Sequence, residues 1–393
     1  MEKINWILIQ NKSRGVDFGV GTYIKNILNG LTFNTNIDIF VIDIGHVLNR
    51  EFSISKENGI TYFHFNYIYI PPNQYFTSNQ TKRAKSLVRV IESSISKSRR
   101  TIIHMNFITH YFLADELKKT YSAHVIYTQH LTISKKNKEM DYFDLENATY
   151  QIADQIFTVT DHGREHLINK GVNSKKIKTI YNGFDPELLT THLFDDQILK
   201  KYDIRKNDIF ILFSGRLDAI KGLRYLAKSF KMILEEVPKC RLVIAGNGSY
   251  DEVISCCRES SSKVNYLGFI PIDDLAVLYN NATIGVIPSL EEQCSYVALE
   301  MMHFGLPVVA SNIGGLKEIF ISGENAILVD MVSDTDSEFG LSPSIDQLTQ
   351  GIVTLLTNPR LRKRFARNSK QRAASEFSLS NMVNKYINYT INT

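Results

Sequence analysis

The chain has 393 residues, more than one ordinary hydrophobic core supports, so two domains are expected. Apolar residues make up 44% and charged residues 22%, values of a folded globular protein that exclude a disordered chain, collagen and a coiled coil, and no run of ~18 apolar residues is present to span a bilayer. The net charge is only +4, with 23 basic and 18 acidic residues in the first 190 positions and 22 and 23 after them, too small an excess for a dedicated nucleic-acid binder.

The first ten residues lack a basic leader and a small-residue cleavage site, so no signal peptide is expected and the protein is read as cytoplasmic. Ile4 to Ile9 reads as a buried strand ended by the polar loop Gln10 to Asp17, and a helix is expected over Thr22–Leu31. Strands follow at Ile37–Ile44, Ile60–Phe65, Thr101–His104, Ala123–Thr128 and Gln155–Val159, with helices between several of them, notably about Thr81–Ser96. The pattern restarts with strands at Ile209–Phe213, Arg241–Ala245, Val264–Tyr266, Ile284–Ile287, Val308–Ala310 and Ala326–Val329, separated by helical stretches such as Leu223–Glu235 and Tyr296–His303. Strands alternating with helices imply parallel sheets, here two doubly wound α/β domains. Residues 1–181 form the first, 182–207 a polar linker and 208–370 the second, while 371–393 are expected to form a terminal helix crossing back to the first. The cysteines Cys240, Cys256, Cys257 and Cys294 form no CxxC pair and no zinc spacing, so they read as reduced thiols without a metal.

Open parallel sheets take ligands beyond the carboxyl ends of their strands, which directs attention to three loops. Phe18-Gly19-Val20-Gly21-Thr22-Tyr23 opens the first helix, and its glycines let backbone N–H groups approach an anion where the helix dipole favours one. Neither GxGxxG nor GxxxxGK[ST] occurs, so nicotinamide and P-loop chemistry are not supported. Phe213-Ser214-Gly215-Arg216, with Lys221-Gly222 just beyond, offers a guanidinium and an ammonium that stay charged at neutral pH and suit a diphosphate, although taken alone both fit a solvated surface equally well. In Pro288 to Glu300, Glu292 and Glu300 are eight residues apart, roughly 12 Å along a helix, so they would meet one long ligand at different places and cannot work as a paired acid and base.

Together these residues resemble glycosyltransferase family 4, retaining GT-B enzymes that use nucleotide-sugar donors. The likeness covers nearly the whole chain: Gly19, Gly21 and Tyr23; Asn182-Gly183-Phe184-Asp185; Arg216 and Lys221; Ala245-Gly246-Asn247-Gly248; Tyr266-Leu267-Gly268; Glu292 and Glu300; and Gly305 to Ser311 with Gly314-Gly315. The resemblance implies two Rossmann-like domains facing across a cleft, with the acceptor on the first and the donor on the second. It implies that Arg216 and Lys221 hold the leaving diphosphate without a metal, and that Glu292 binds the transferred sugar. It further implies that Glu300 takes the ribose hydroxyls, that Gly19, Gly21, Gly246, Asn247, Ser295 and Tyr296 line the donor, and that His130 in Tyr127-Thr128-Gln129-His130 faces the donor sugar. A structural role for His130 at a strand end stands beside that last reading, and His104 and His110 are further acceptor-side candidates.

The expected reaction is hexosyl transfer from a nucleotide sugar, most often a UDP-sugar, to a hydroxyl of a glycan, lipid-linked sugar or peptide, as in polysaccharide biosynthesis, with no cofactor. A nucleotide-sugar 2-epimerase or an inactive nucleotide-sugar or glycan-binding module would use the same fold. The chain departs from the family at Gln293-Cys294-Ser295, where a glycine is usual. Val332 to Pro343 reads as an insertion, and its Asp334-Thr335-Asp336 lies in a polar loop outside the other motifs, so it is not read as a metal site. Thr81 to Arg100 holds seven cations against Glu92, with apolar residues at helical spacing. This fits a core-facing helix with a solvated basic face, or a peripheral contact with an acidic acceptor or the inner face of a membrane.

Overall fold

The computed structural model describes residues 3–11, 19–46, 52–67, 78–130, 140–185 and 196–391. They form two compact units, Met1–Gly183 with Leu379–Thr393, and Phe184–Ser378.

The first unit runs β1 (Ile4–Asn11), α1 (Gly19–Thr32), β2 (Ile37–His46), β3 (Phe52–Glu57), β4 (Ile60–Tyr67), α2 (Ser78–Ile91), β5 (Thr101–Met105), α3 (Tyr111–Tyr121), β6 (His124–Gln129), α4 (Met140–Ile152), β7 (Gln155–Thr158), α5 (Asp161–Asn169) and β8 (Ile177–Thr179). The strands order as β3-β4-β2-β1-β5-β6-β7-β8, parallel except for β3 against β4, and the order reverses between β1 and β5. Trp6, Ile7, Leu8 and Ile9 are fully buried, as a central strand covered on both faces requires, and each contributes about 1.5–3 kcal/mol of burial.

Sequence periodicity does not predict β3, because all six of its residues are exposed and it shows no inside-outside alternation. Its signal lies in the turn, where Asn58 (φ +49°) and Gly59 (φ +80°) make a two-residue hairpin loop. Helix α2 ends at Ile91, five residues short of the expected Ser96. Residues 12–17 of the expected polar loop, and Phe18, lie outside the described residues.

The second unit runs α6 (Asp196–Lys201), β9 (Phe210–Ser214), α7 (Leu223–Glu236), β10 (Arg241–Ala245), α8 (Asp251–Cys256), β11 (Val264–Gly268), α9 (Ile272–Asn281), β12 (Ile284–Ile287), α10 (Tyr296–Phe304), β13 (Val308–Ser311), α11 (Leu316–Ile319), β14 (Ala326–Val329), β15 (Met331–Ser333), β16 (Leu341–Pro343), α12 (Ile345–Thr357) and α13 (Pro359–Glu376). Its six-stranded sheet has the order β11-β10-β9-β12-β13-β14, the doubly wound mononucleotide-binding arrangement, and reverses between β9 and β12. The crevice beyond the carboxyl ends of those two strands is the place this topology provides for a ligand.

Both domain boundaries differ from the sequence reading. The first passage lies at Gly183/Phe184, and residues 184–185 and 196–207 of the expected 182–207 linker belong to the second unit, where the Lys201 ammonium and Tyr202 hydroxyl both donate to Asp274 (2.7 and 2.5 Å). Residues 186–195 of that linker lie outside the described residues. The second passage falls at Ser378/Leu379 and not at 371, because α13 is one continuous helix of 18 residues. The last helix, α14 (Leu379–Thr390), packs on α1 in the first unit: Gly30 leaves room for Val383, whose Cγ2 lies 2.2 Å from where a Cβ at Gly30 would stand. The Arg100 guanidinium caps α14 by donating to the carbonyls of Thr390 and Ile391 (2.7 and 2.8 Å).

The insertion folds as the antiparallel hairpin β15–β16. Its Asp334 carboxylate accepts the Tyr225 hydroxyl (2.9 Å) and the Asp336 amide (3.0 Å), so the DxD pair shapes a turn. Among the described residues no helix is long and apolar enough to cross a membrane.

Candidate active site

In the second unit the backbone sets the site before any side chain does. Gly246 (φ +150°) follows β10, and a Cβ there would stand 1.7 Å from the Gly215 carbonyl oxygen, so only glycine lets these two strand ends meet. Gly215 N–H donates to Ala245 (3.0 Å) and Leu217 N–H to the Asn247 carbonyl (2.8 Å), zipping the loops together. Gly222 (φ +66°) plays the same part on the other side, where a Cβ would be 1.9 Å from the Pro288 carbonyl after β12. The Tyr250 hydroxyl donates to the Gly246 carbonyl and accepts the Gly268 N–H, both at 2.9 Å, bracing the glycine loop.

The charges sit on this frame. Lys221 and Glu292 are brought together from loops after β9 and β12, with Nζ 2.5 Å from Oε2, at the point where the strand order reverses. Leu290 N–H donates to the Ile220 carbonyl (2.7 Å) and Gly315 N–H to the Glu292 carbonyl (3.0 Å), which fixes both loops. The Lys221 side chain keeps 23% of its exposure and that of Glu292 11%, so a polar ligand can still reach and separate them. Arg216 pairs with Asp218 at 2.7 Å and is about half exposed.

Beyond Glu292, Ser295 takes the N-cap of α10, its hydroxyl accepting the Ala298 N–H (3.4 Å), and Tyr296 opens the helix. One turn further on, Glu300 is buried, and burial pushes its carboxyl up to about 7, partly offset by the Tyr279 hydroxyl that donates to Oε2 at 2.8 Å. Tyr279 in turn lies 2.9 Å from Ser214 Oγ at the end of β9. Tyr279, Ser214 and Tyr250 are absent from the sequence-based set because each acts through a contact between distant segments. A tyrosine on an otherwise apolar helix face was the one signal for Tyr279.

The first unit holds the other expected residues. Gly19 and Gly21 lie in the first turn of α1, with Gly21 buried. His130 follows β6, its Nε2 donating to Asn106 Oδ1 (3.0 Å) and its ring edge-on to Tyr23 at 4.5 Å; burial lowers its pKa to about 3. His104 is fully buried, with Nε2 2.8 Å from Thr128 Oγ1 and 3.3 Å from the Tyr23 hydroxyl, and burial and then the neighbouring His130 bring it to about 3. Thr128 passes this chain on to the Tyr386 hydroxyl of α14 (2.9 Å). His110 Nε2 donates to Asn11 Oδ1 (2.9 Å), joining the turn that follows β5 to the end of β1. The His104 and His130 imidazoles are neutral at physiological pH and hydrogen-bond without carrying charge.

Among the described residues no group of three or more His, Cys, Asp or Glu is placed to hold a metal ion. Comparison with known proteins supplies the family. Residues 19–188 match the model "Glycosyltransferase Family 4", and residues 194–372 match "Glycosyl transferases group 1". An uncharacterized glycosyltransferase of Methanocaldococcus jannaschii is 31% identical over 262 residues, covering 65% of this chain and 63% of that protein. Among solved structures, sucrose-phosphate synthase from Thermosynechococcus elongatus superposes with a TM-score of 0.74 at 18% identity, over 98% of this chain and 97% of that one. Anabaena HepE in complex with UDP and glucose gives 0.72 at 17% identity, over 99% of both chains. With two Rossmann-like units, paired cations at the switch point of the second and a family match over both halves, the chain belongs to the group 1 glycosyltransferases of family 4, with GT-B enzymes as its structural neighbours.

Proposed function

We propose that this glycosyltransferase moves a sugar from a nucleoside-diphosphate sugar to an acceptor hydroxyl with retention of anomeric configuration and without a metal. The observation that carries the reading is the Lys221–Glu292 pair at the β9/β12 reversal, with Arg216 on the same loop. A diphosphate arriving there takes over Lys221, because two phosphate charges outcompete one carboxylate, and Arg216 adds a second cation able to bind two oxygens at once. The freed Glu292 carboxylate then accepts hydroxyls of the sugar. Both cations stabilise the diphosphate as its bond to the anomeric carbon breaks, the task a divalent metal would otherwise perform. Glu300 accepts the ribose hydroxyls.

The acceptor hydroxyl attacks from the face the diphosphate leaves, and the departing phosphate oxygen takes its proton. His130, held neutral, is assigned to the sugar as a hydrogen-bonding group. UDP, bound by the Anabaena structural neighbour, is the first nucleotide to try.

The test is turnover of a UDP-sugar panel with chelator present, using mixed glycan, lipid-linked and peptide acceptors, with the product anomer read by NMR. An α-linked product from an α-linked donor supports the reading. A requirement for added metal, an inverted product, or a 2-epimer formed with no acceptor contradicts it.

A further inference from the structure

Tyr279 lies on α9, not on any loop of the donor crevice, and is 1% exposed. A buried phenol needs one partner, and this one has two, on different elements: Glu300 Oε2 on α10 at 2.8 Å and Ser214 Oγ at the end of β9 at 2.9 Å. Proton counting fixes the direction. The single phenolic proton is donated to Glu300 Oε2, so the other bond has to be donated by Ser214. The ring is also clamped, stacked on Phe304 at the end of α10 with centroids 5.7 Å apart. One rigid side chain therefore joins the strand end that leads into Gly215-Arg216 to the helix that carries Glu300.

We propose that Tyr279 is a positioning residue for nucleotide recognition: by donating to Oε2 it orients the Glu300 carboxylate so that Oε1 receives the ribose hydroxyls, with Ser214 holding the phenol in the donating direction. The proposal rests on the reading of Glu300 as the ribose ligand. Burial opposes ionisation of Glu300, and the Tyr279 hydrogen bond favours the charged form that accepts two hydroxyls.

The experiment compares binding of UDP, GDP, ADP and CDP, and of the 2′,3′-dideoxy analogue of whichever binds tightest, to the full chain and to Tyr279→Phe, Glu300→Gln and the double variant. Tyr279→Phe should weaken the ribonucleotide about five- to tenfold, the worth of one hydrogen bond, and leave the dideoxy analogue unchanged. The donor KM should rise with kcat at saturation unaltered, and the double variant should be no weaker than Glu300→Gln alone. Equal losses on both nucleotides would mean that the ring only packs α9 against α10, and no loss on the ribonucleotide would mean that Glu300 needs no orienting; either overturns the proposal. Should Tyr279→Phe misfold, Ser214→Ala should give a smaller loss with the same insensitivity for the dideoxy form. Glu300→Gln separates the two levels. If it still distinguishes ribose from dideoxyribose as the unaltered chain does, the ribose reading of Glu300 fails and the proposal with it. If Glu300→Gln loses that distinction and Tyr279→Phe keeps it, only the proposal fails. Binding of none of the four nucleotides overturns both.

Discussion

A run of six strands follows the same order in both units, and the points where that order reverses carry different chemistry. In each, the parallel sheet reverses direction once, between β1 and β5 in the first and between β9 and β12 in the second. Near the first reversal the polar groups are imidazoles and hydroxyls, His104, His130, Tyr23 and Thr128, with both histidines held uncharged by burial. Near the second they are the partly exposed, ion-pairing side chains Arg216, Lys221 and Glu292, with the buried acid Glu300 behind them. One topology thus carries neutral hydrogen-bonding groups at one reversal and ion pairs at the other, and the side chains at the strand ends decide which.

The largest expected effect breaks the charged side alone. Arg216→Ala or Lys221→Ala should lower kcat on the order of 10²–10³, with circular dichroism unchanged, since each removes a preorganised charge from the leaving group. Glu292→Gln sharpens the point. It should lose the extra affinity that the sugar adds to the nucleotide, while the nucleoside diphosphate alone binds at least as tightly, because Lys221 is then no longer held by a carboxylate.

Next in size is the pH response, which has opposite sign in the two units. A carboxyl held near 7 when folded and near 4.5 when unfolded binds an extra proton in the folded state, so the second unit loses stability as pH rises from 4.5 through 7, by about 3 kcal/mol at most. Glu300→Gln should remove that slope and leave the second unit more stable than the unaltered protein at pH 8, read by hydrogen exchange of its amides. In the first unit, histidines near 3 when folded and 6.5 when unfolded bind fewer protons folded, so stability is lost as pH falls from 6.5 toward 3. By pH 5 this amounts to about 2 kcal/mol per histidine, and His104→Gln should flatten the dependence. Exchange slopes of the same sign in both units would contradict the comparison.

The smallest effect tests how α14 belongs to the first unit. Tyr386→Phe deletes a hydroxyl bonded to Thr128 and should cost about 1 kcal/mol, confined to exchange-protected amides of the first unit.

Most of the second unit's site was legible in the sequence because backbone geometry writes itself in glycine. Gly246 and Gly222 stand where any Cβ would collide with a carbonyl, so their spacing around Arg216, Lys221 and Glu292 marks where strand ends converge. The first unit offers no such mark. Tyr23, His104, Thr128 and Tyr386 come from α1, β5, β6 and α14, separated by up to 258 residues for one hydrogen bond, and no local pattern signals that assembly. The domain limits were misplaced for a related reason: a polar stretch looks like a linker until Asp274 is seen to accept from both Lys201 and Tyr202. β3 escaped because an exposed edge strand has no buried face to impose a period on its residues.

The most direct test is a calorimetric titration of uridine, UMP and UDP into the full chain and into Arg216→Ala and Lys221→Ala. If the second unit's crevice is a diphosphate site, affinity climbs from uridine to UDP in the unaltered protein, and both variants lose that increment while their uridine affinity is untouched. Equal affinity for the three ligands, or an increment that survives loss of either cation, would contradict it.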